Sequence, residues 1–209
     1  MSLDPVELDR FIDEEGEWVT HLTGLRCWCL TSDGQPRVTH TECEAGYLYR
    51  NPREIIGLIT AIDQQKLWMQ IGFAQPGDCV FSPRSDETGL SDRDKIVFLD
   101  PSPISEVQVI VRAHEATDAL HYSASGAIYC EGEGAVEYHE KVSFVLEGKA
   151  IRWLSGQPQP AEGTQYALKY YGFLEWYVFM PPALRYSSLK DIGKKVLLRK
   201  KSAVVAMGA

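Results

Sequence analysis

The sequence predicts a mainly β protein, an antiparallel β-sandwich or barrel with a short N-terminal helix and a small knuckle loop. Two observations support this fold class. From residue 106 to residue 179, short segments rich in β-branched and aromatic residues recur at even intervals, with turn residues between them. Helical spacing of apolar residues is found in the first part of the chain, before about residue 18.

The predicted helix begins at Asp4, which can cap it, and continues through Pro5 and Glu7, residue types that suit a first helical turn. It is expected to run to about Trp18, with an interruption near Gly16. Acidic residues fill the side opposite its apolar residues, which are Leu8, Phe11, Ile12 and Val19. Such a helix can pack on its own domain or on a neighbouring protein.

After Asn51-Pro52, the apolar pattern changes to a period of two. Residues 55–62 predict a buried strand, because Gly57 and the β-branched residues outweigh a possible helix cap at residues 51–54. A return strand is expected at residues 67–73. Two further strands are expected at residues 78–82 and 95–98.

The remaining strands are expected in the last half of the chain, at residues 106–111, 127–131, 135–139, 143–146, 150–154, 165–171 and 175–179. Residues 147–149 and 160–163 have the composition of tight turns. The aromatic residues of the last two strands are expected in the core and on sheet faces, with an exposed carbohydrate-binding strip as the alternative. We therefore expect three parts: a helix and knuckle segment over 1–50, a β-hairpin or barrel portion over 51–104, and a β-sandwich with a basic C-terminal tail over 105–209.

Composition and net charge argue against several classes of protein. The chain has 209 residues, of which 44% are hydrophobic, enough for a substantial core. Its formal net charge of −8 argues against general nucleic-acid binding. No apolar run approaches the length of a membrane span, and the acidic N-terminus is unlike a signal peptide. Five cysteines, an odd number, fit a reducing cytoplasm better than a secreted disulfide scaffold.

The knuckle loop lies in residues 27–50, CWCLTSDGQPRVTHTECEAGYLYR. Two close pairs of ligand-type residues, Cys27 with Cys29 and His40 with Cys43, flank a turn-rich stretch that can bring them face to face. A tetrahedral metal ion takes two ligands from each of two turns in this way. The sequence thus predicts a small zinc-knuckle loop held by these four residues. Buried unmetallated thiols, with His40 at the surface, are the main alternative, and a disulfide framework is a third.

The same segment resembles small proteins of tailed bacteriophages and prophages. These often carry Cys-x-Cys, a short polar loop, Cys-x-x-Cys-x-Gly-x-Gly and an aromatic-rich tail. Here Cys27 and Cys29 match the first pair, Cys43 matches the fourth cysteine, and His40 stands in the place of the third. Ala45 replaces a usual glycine. The resemblance implies a zinc knuckle, since imidazole and thiolate both bind zinc.

A second resemblance covers residues 94–200, which look like a module of phage virion proteins. That module has a tyrosine- and glycine-containing segment, a Gly-x-Ile-x-Trp hairpin and a Gly-x-x-Tyr-x-Val-x-Tyr strand in this order. The matching residues here are Tyr138, Gly148, Ile151, Trp153, Gly163, Tyr166 and Tyr170. Lys141 and Ser143 depart from the usual glycine and acid. The resemblance implies a structural virion protein of the head–tail connector or neck, made in the host cytoplasm and assembled into the virion with portal, connector or tail proteins.

Catalytic motifs are not evident. The sequence has no phosphate-binding glycine-rich loop and no Gly-x-Ser-x-Gly. His114, Glu115 and His121 lie near Asp118 in a group that could hold a metal, although solvated polar loops often have this composition. We therefore expect a protein that is not an enzyme. Alternatives are a tail or baseplate component with a carbohydrate-binding β-module, and a small zinc-dependent enzyme with an open metal position.

The chain ends differ in charge. The first seventeen residues carry seven acidic residues, whereas residues 190–201 are rich in lysine. Opposite charges at the two ends suit head-to-tail contacts in a ring of identical copies. On this interpretation the helix and the tail, including residues 196–198, bind neighbouring copies, and truncation of either end leaves the isolated fold stable. The alternative is that both ends pack on their own domain.

Overall fold

The computed structural model describes residues 5–31, 43–44, 46–61, 78–87, 89–104, 106–114, 117–179 and 195–200. Within them the chain is mainly β, with a short N-terminal helix and antiparallel sheets, which confirms the predicted fold class. The elements are α1 Pro5–Glu15, β1 Glu17–Arg26, β2 Tyr47–Ala61, β3 Cys79–Pro83, β4 Lys95–Phe98, β5 Ser102–Pro103, β6 Gln108–Val111, β7 Thr117–Ala119, β8 Ser123–Gly132, β9 Val136–Glu137, β10 Phe144–Glu147, β11 Ala150–Trp153, β12 Gln165–Phe173, β13 Glu175–Phe179 and β14 Val196–Lys200. Among the helices of these residues, none has both the length and the apolar character needed to cross a membrane.

The chain divides into two compact units, residues 1–97 with 175–209, and residues 98–174. We call them the barrel unit and the sandwich unit. This division differs from the three expected parts, because β13 and β14 near the end of the chain join strands from its first half. The barrel unit is therefore built from two separate stretches of the chain, whereas the sandwich unit is one continuous stretch.

The barrel unit is a closed barrel with the strand order β1-β2-β3-β14-β13-β4. Alternation along the strands directs apolar side chains inward, as at Val19, Phe81 and Ile96, which are all buried. Gly57 of β2 is required by this packing, since a Cβ there would lie 2.5 Å from the Phe81 ring. A larger residue at this position would push β2 away from the core.

The helix is shorter than expected. It ends at Glu15, and Trp18 and Val19 belong to β1 instead. The Gly16 amide donates to the Ile12 carbonyl at 2.8 Å, and a Cβ at Gly16 would overlap that oxygen. Glycine therefore permits the sharp change from helix to strand at this point.

The helix packs on its own unit. Ile12 is fully buried, and Asp13 forms an ion pair with Arg84 at 2.5 Å. The Asp9 carboxylate accepts from the Ser85 amide at 2.7 Å. Only Phe11 of the expected apolar stripe is strongly exposed, and the stripe is accordingly only in part available to a neighbour.

The expectation that residues 196–198 bind a neighbouring copy is wrong, and the alternative of packing on their own unit is correct for residues 196–200. They form β14, which pairs with β13 on one side and with β3 on the other. Val196, Leu197 and Leu198 are buried there. The barrel needs this strand to close, so its apolar side chains are used within the same copy. Residues 201–209 lie outside the described part of the chain.

The sandwich unit contains two antiparallel sheets. One has the order β10-β11-β7, and the other has the order β5-β12-β8-β9, with β6 also paired to β12. Trp153 of the first sheet makes edge contacts with Tyr138 at 5.4 Å and with Tyr166 of the second at 5.2 Å between ring centroids. The cluster also contains Ile104, Ile110, Leu120, Tyr122, Cys130, Phe144, Ile151, Leu168 and Tyr170. The core of this unit is thus aromatic and lies between the sheets.

Two local predictions are confirmed in this part of the structure. Glu147 pairs with Ala150 across a two-residue loop, in which Gly148 has a φ of +58°. The aromatic residues of β12 and β13 are mostly buried, as Tyr166, Tyr170 and Trp176 are, whereas Tyr171 is exposed. They lie in the interiors of their own units and do not form an exposed strip.

Candidate metal centre

The first arm of the knuckle is a turn that follows β1. The Leu30 amide donates to the Cys27 carbonyl at 3.2 Å, which closes a four-residue turn over Cys27, Trp28, Cys29 and Leu30. The sulfur-bearing side chains of Cys27 and Cys29 are buried, whereas Trp28 between them is exposed. The turn therefore separates the two thiols from the aromatic ring.

The second arm leads into β2. The Glu44 amide donates to the Tyr47 carbonyl at 2.9 Å, and the Tyr47 amide donates back to Glu44 at 3.0 Å. The Gly46 carbonyl accepts from the Cys27 amide at 2.8 Å, which joins the two arms. Gly46 has a φ of +84°, and a Cβ on it would overlap Leu30. Glycine is needed at this position for both reasons.

The arms bring three thiols together. The sulfur atoms of Cys27, Cys29 and Cys43 all lie within 4.8 Å of one another. Cys29 Sγ and Cys43 Sγ are 3.2 Å apart, which is a thiol contact and not a disulfide. The predicted convergence of these three residues is therefore present.

This arrangement fits a soft tetrahedral metal ion. Thiolates bound to zinc at about 2.3 Å are about 3.8 Å from one another, so small shifts would open the cluster to the required size. Two of the three cysteines are buried and the third is half-buried, which would keep water from most of the ion. The donor set is compatible with zinc.

The fourth predicted ligand, His40, lies outside the described residues. The structure therefore places three of the four predicted ligands and leaves the fourth as a prediction. The expected return strand at residues 67–73 also lies outside the described part. Cys79 and Cys130 are buried thiols without a disulfide, as predicted.

The residue after Cys43 ties the knuckle to the barrel. Glu44 binds Lys95 Nζ at 2.5 Å, and Lys95 also binds Glu175 at 2.6 Å. The Lys95 ammonium lies over the Tyr49 ring, 4.9 Å from its centroid. Because Lys95 and Glu175 are buried, this ion pair network has little exposure to water.

The tyrosines around Lys95 have perturbed acidity. Burial raises the pKa of Tyr49 far above its ordinary value, and the Glu44 carboxylate adds to this shift. Burial likewise raises the pKa of Tyr177, with a further contribution from Glu44. Both phenols thus stay protonated at physiological pH, and Lys95 has carboxylates as its anionic partners.

Sequence reasoning missed a second buried polar group in the barrel. Asp94, which directly precedes β4, accepts hydrogen bonds from His21 Nε2 at 2.8 Å and from the Gly24 amide at 2.9 Å. Arg53 Nε donates to His21 Nδ1 at 2.8 Å, so Nδ1 is the acceptor and Nε2 carries the proton. Arg53 also binds Glu87 at 2.7 Å. The imidazole is therefore neutral and links β1 to the segment before β4.

No sequence signal could have indicated this group, because His21 and Asp94 are 73 residues apart. Its geometry favours a structural role, since both side chains are about 1% exposed and a substrate would have to displace the barrel wall.

Among the residues that the structure describes, the other candidate metal group, around Asp118, is not brought together. Asp118 is buried and accepts hydrogen bonds from Trp153 Nε1 at 2.8 Å and from the Tyr166 hydroxyl at 2.9 Å. His114 instead binds Glu162 at the surface. Asp118 thus orients core aromatics.

No protein-family model and no curated protein sequence matches the chain. The resemblance to tailed-phage virion proteins stays a prediction.

Proposed function

We propose that this protein is a non-enzymatic structural component of a tailed-phage virion, positioned at the head–tail junction. In this role it binds neighbouring virion proteins and forms a ring of identical copies. It is made in the host cytoplasm and carries a structural zinc ion in its knuckle.

The convergence of Cys27, Cys29 and Cys43 is the observation that supports this proposal most directly. It occurs in the segment that resembles the phage proteins, and it joins the turn after β1 to the segment before β2. Zinc in this position would act as a cross-link, supplying folding energy to a loop too small for a core of its own. His40 would complete the four ligands.

Metal content and coordination test the zinc proposal. Protein purified without chelators should contain one zinc per chain, and cobalt-substituted protein should show the absorption of a tetrahedral thiolate site. The variant Cys43→Ser should lose the metal and several kcal/mol of stability, on the order reported for structural zinc. Cys79→Ala, which removes a buried thiol outside the cluster, should keep the metal.

Coordination number separates the structural proposal from a zinc enzyme. A closed site has four protein ligands, and His40→Ala should then weaken zinc binding strongly. An open site with bound water, seen by X-ray absorption, would favour catalysis instead. A chain without metal, in which Cys43→Ser leaves the melting temperature unchanged, would contradict the zinc proposal.

Particle composition tests the virion proposal. The protein should co-sediment with gradient-purified phage particles, and gold-labelled antibodies should mark the vertex that joins head and tail. Labelling at the distal end of the tail would favour a tail or baseplate component. A protein that stays in the lysate and is absent from particles would overturn the proposal.

A further inference from the structure

The three clustered thiols differ in their access to solvent. Cys27 is 2% exposed and Cys29 is fully buried, whereas Cys43 is half-buried. A reagent in solution therefore reaches Cys43 more readily than it reaches the other two. Oxidation of a cysteine depends on its exposure as well as on its thiolate character, and exposure distinguishes Cys43 within the cluster.

A second thiol lies directly beside Cys43. The sulfur atoms of Cys29 and Cys43 are 3.2 Å apart, whereas a disulfide bond joins two sulfur atoms at about 2.05 Å. A shift of about 1.2 Å would therefore bring them to bonding distance. Cys29 lies in the turn after β1 and Cys43 lies before β2, so this bond would join the same two arms as the predicted metal.

Contacts outside the sulfur cluster also hold the two arms together. The Cys27 amide donates to the Gly46 carbonyl at 2.8 Å, and Glu44, the residue after Cys43, binds the buried Lys95 ammonium. Neither contact uses a sulfur atom, so the arms have anchors that do not depend on a metal ion. These anchors favour a short distance between the two sulfur atoms with or without a bound metal.

The two cysteines outside the cluster have different surroundings. Cys79 lies in the barrel unit and Cys130 lies in the sandwich unit, and both are buried. Burial raises the pKa of Cys130 to about 12, which disfavours the reactive thiolate. These two thiols therefore serve as internal references for the reactivity of the cluster.

We propose that Cys43 is a site of oxidation by hydroperoxides and that Cys29 is its resolving thiol. First, the Cys43 sulfur attacks the terminal oxygen of the hydroperoxide ROOH, the O–O bond breaks, ROH leaves, and Cys43 becomes a sulfenic acid. Next, the Cys29 sulfur attacks the Cys43 sulfur, the S–O bond breaks, and a disulfide forms with release of water. In total two thiols lose two electrons and two protons, which reduce the hydroperoxide to ROH and water.

Oxidation also removes two of the predicted metal ligands. Once Cys29 and Cys43 form a disulfide, only Cys27 and the predicted ligand His40 remain. A structural zinc site takes four ligands, so zinc should leave as the disulfide forms. The cross-link between the arms is then exchanged, with a covalent bond in place of the metal.

The proposed function supplies a setting for this exchange, and the inference rests on that function only for the setting. A virion protein is made in a reducing cytoplasm, where thiols persist, and leaves it with the particle for an oxidising exterior. The arms of the knuckle are joined in both environments, by zinc in the first and by the Cys29–Cys43 disulfide in the second.

Peptide mapping of the full chain tests the reaction. Protein as purified is treated with hydrogen peroxide, alkylated, and digested without reduction. The Cys29–Cys43 disulfide should form about ten times faster or more than any oxidation of Cys79 or Cys130. Zinc should be released to a colorimetric chelator at the same rate. Dithiothreitol followed by added zinc should restore both thiols and the bound metal.

Two matched variants identify the resolving thiol. Cys27→Ser and Cys29→Ser each remove one buried thiol of the same turn and one predicted ligand, so both should lose zinc. Cys27→Ser should still form the Cys29–Cys43 disulfide at close to the wild-type rate. Cys29→Ser should instead retain a sulfenic acid on Cys43, which dimedone traps. Circular dichroism of each variant identifies loss of fold.

The outcomes separate this proposal from the earlier ones. A wild-type Cys43 that stays a thiol in peroxide, a sulfenic acid that never passes to Cys29, or a Cys27–Cys43 disulfide would overturn it. Protein that contains no zinc but forms the Cys29–Cys43 disulfide would contradict only the zinc proposal. Absence from phage particles would contradict only the proposed place in the virion.

Discussion

The two units fill their interiors differently. Among the described residues, the barrel unit buries the charged or titratable groups His21, Asp78, Asp94, Lys95, Glu175 and Arg199. The sandwich unit buries a continuous cluster of aromatic and aliphatic side chains around Trp153, with Asp118 and Arg112 as its charged members. One interior is organised by ion pairs between distant strands, and the other by ring packing.

The buried polar contacts of the barrel join segments that are far apart in the chain. Arg199 of β14 binds Asp78, which precedes β3, at 2.9 Å, and packs 4.5 Å from the Phe179 ring centroid. Asp94 connects β1 to the segment before β4. A buried pair adds little net stability compared with apolar residues of the same size, but a wrong partner leaves an uncompensated charge. We infer that these pairs select the strand order of the barrel.

Each unit also contains a buried aspartate that accepts hydrogen bonds from three different residues. Asp94 accepts from His21, Gly24 and Ser91, all in the barrel unit. Asp118 accepts from Ala113, Trp153 and Tyr166, all in the sandwich unit. The two interiors, one rich in charged groups and one mainly aromatic, therefore share a buried aspartate that binds three neighbouring residues.

The largest effect is expected from removal of β14. A chain that stops before Val196 leaves β3 and β13 without their common neighbour and should unfold the barrel unit. Hydrogen exchange followed by mass spectrometry should show loss of protection in residues 17–61, while residues 98–174 stay protected. A stop after Lys200 is the control. Equal loss of protection in both units would show that they do not fold independently.

Removal of the Asp94 carboxylate should come next. Asp94→Ala leaves the His21 ring and two backbone amides without their acceptor, and should cost about 3–5 kcal/mol of unfolding free energy. Urea denaturation measures this change. The exposed residue Asp100 supplies the control Asp100→Ala, which should have little effect. If both variants lose little, Asp94 does not organise the barrel.

A smaller loss is expected in the sandwich unit from Trp153→Phe. The substitution keeps an aromatic ring but removes the Nε1 donor to Asp118, and should cost about 1–3 kcal/mol. Because Tyr166 and Ala113 continue to bind Asp118, the loss should be smaller than at Asp94. Urea denaturation followed through probes in residues 98–174 is the measurement. A loss larger than that of Asp94→Ala would reverse the comparison.

The rate at which cysteines react with an alkylating reagent is expected to differ between the two units. Burial raises the pKa of Cys130 to about 12 from an ordinary value of 9.0, since the sandwich core disfavours a thiolate. This preference for the protonated form stabilises the fold below pH 9.0 and is lost as the pH rises through about 12. At pH 8.5 Cys130 should react with iodoacetamide far more slowly than Cys43 of metal-free protein, which is less buried. Fast labelling of Cys130 in folded protein would contradict the shift.

The smallest effect is expected at the surface. Arg152 binds Glu147 at 2.6 Å, and both side chains are about half exposed. The guanidinium lowers the pKa of Glu147 through a hydrogen bond. Solvent screens such a pair, so Arg152→Ala should leave the melting temperature unchanged within error. A clear decrease would show that charge contributes to the sandwich unit as it does to the barrel.

Local patterns in the sequence predicted much of this structure. Alternating apolar residues and turn residues predicted the β10–β11 hairpin, and the spacing of three cysteines predicted their convergence. Both features depend on residues that are close together in the sequence. The role of β14 was not predicted, since lysines next to Val196 and Leu197 gave it the composition of a solvated tail. The His21–Asp94 bond and the Glu44–Lys95 pair were also missed. Neither residue spacing nor composition indicates which buried charges meet across a closed barrel.

The pairing of Val97 with Glu175 has a consequence for how this protein can vary. These residues are neighbours on β4 and β13, two strands that a two-residue turn could connect. Residues 98–174 thus take the place of a hairpin loop. The entropy cost of closing a loop grows only slowly as the loop becomes longer. We therefore expect the barrel to tolerate exchange, enlargement or loss of the sandwich unit without a change in its register. A chain in which a short turn replaces residues 98–174 should still form the barrel and its thiol cluster.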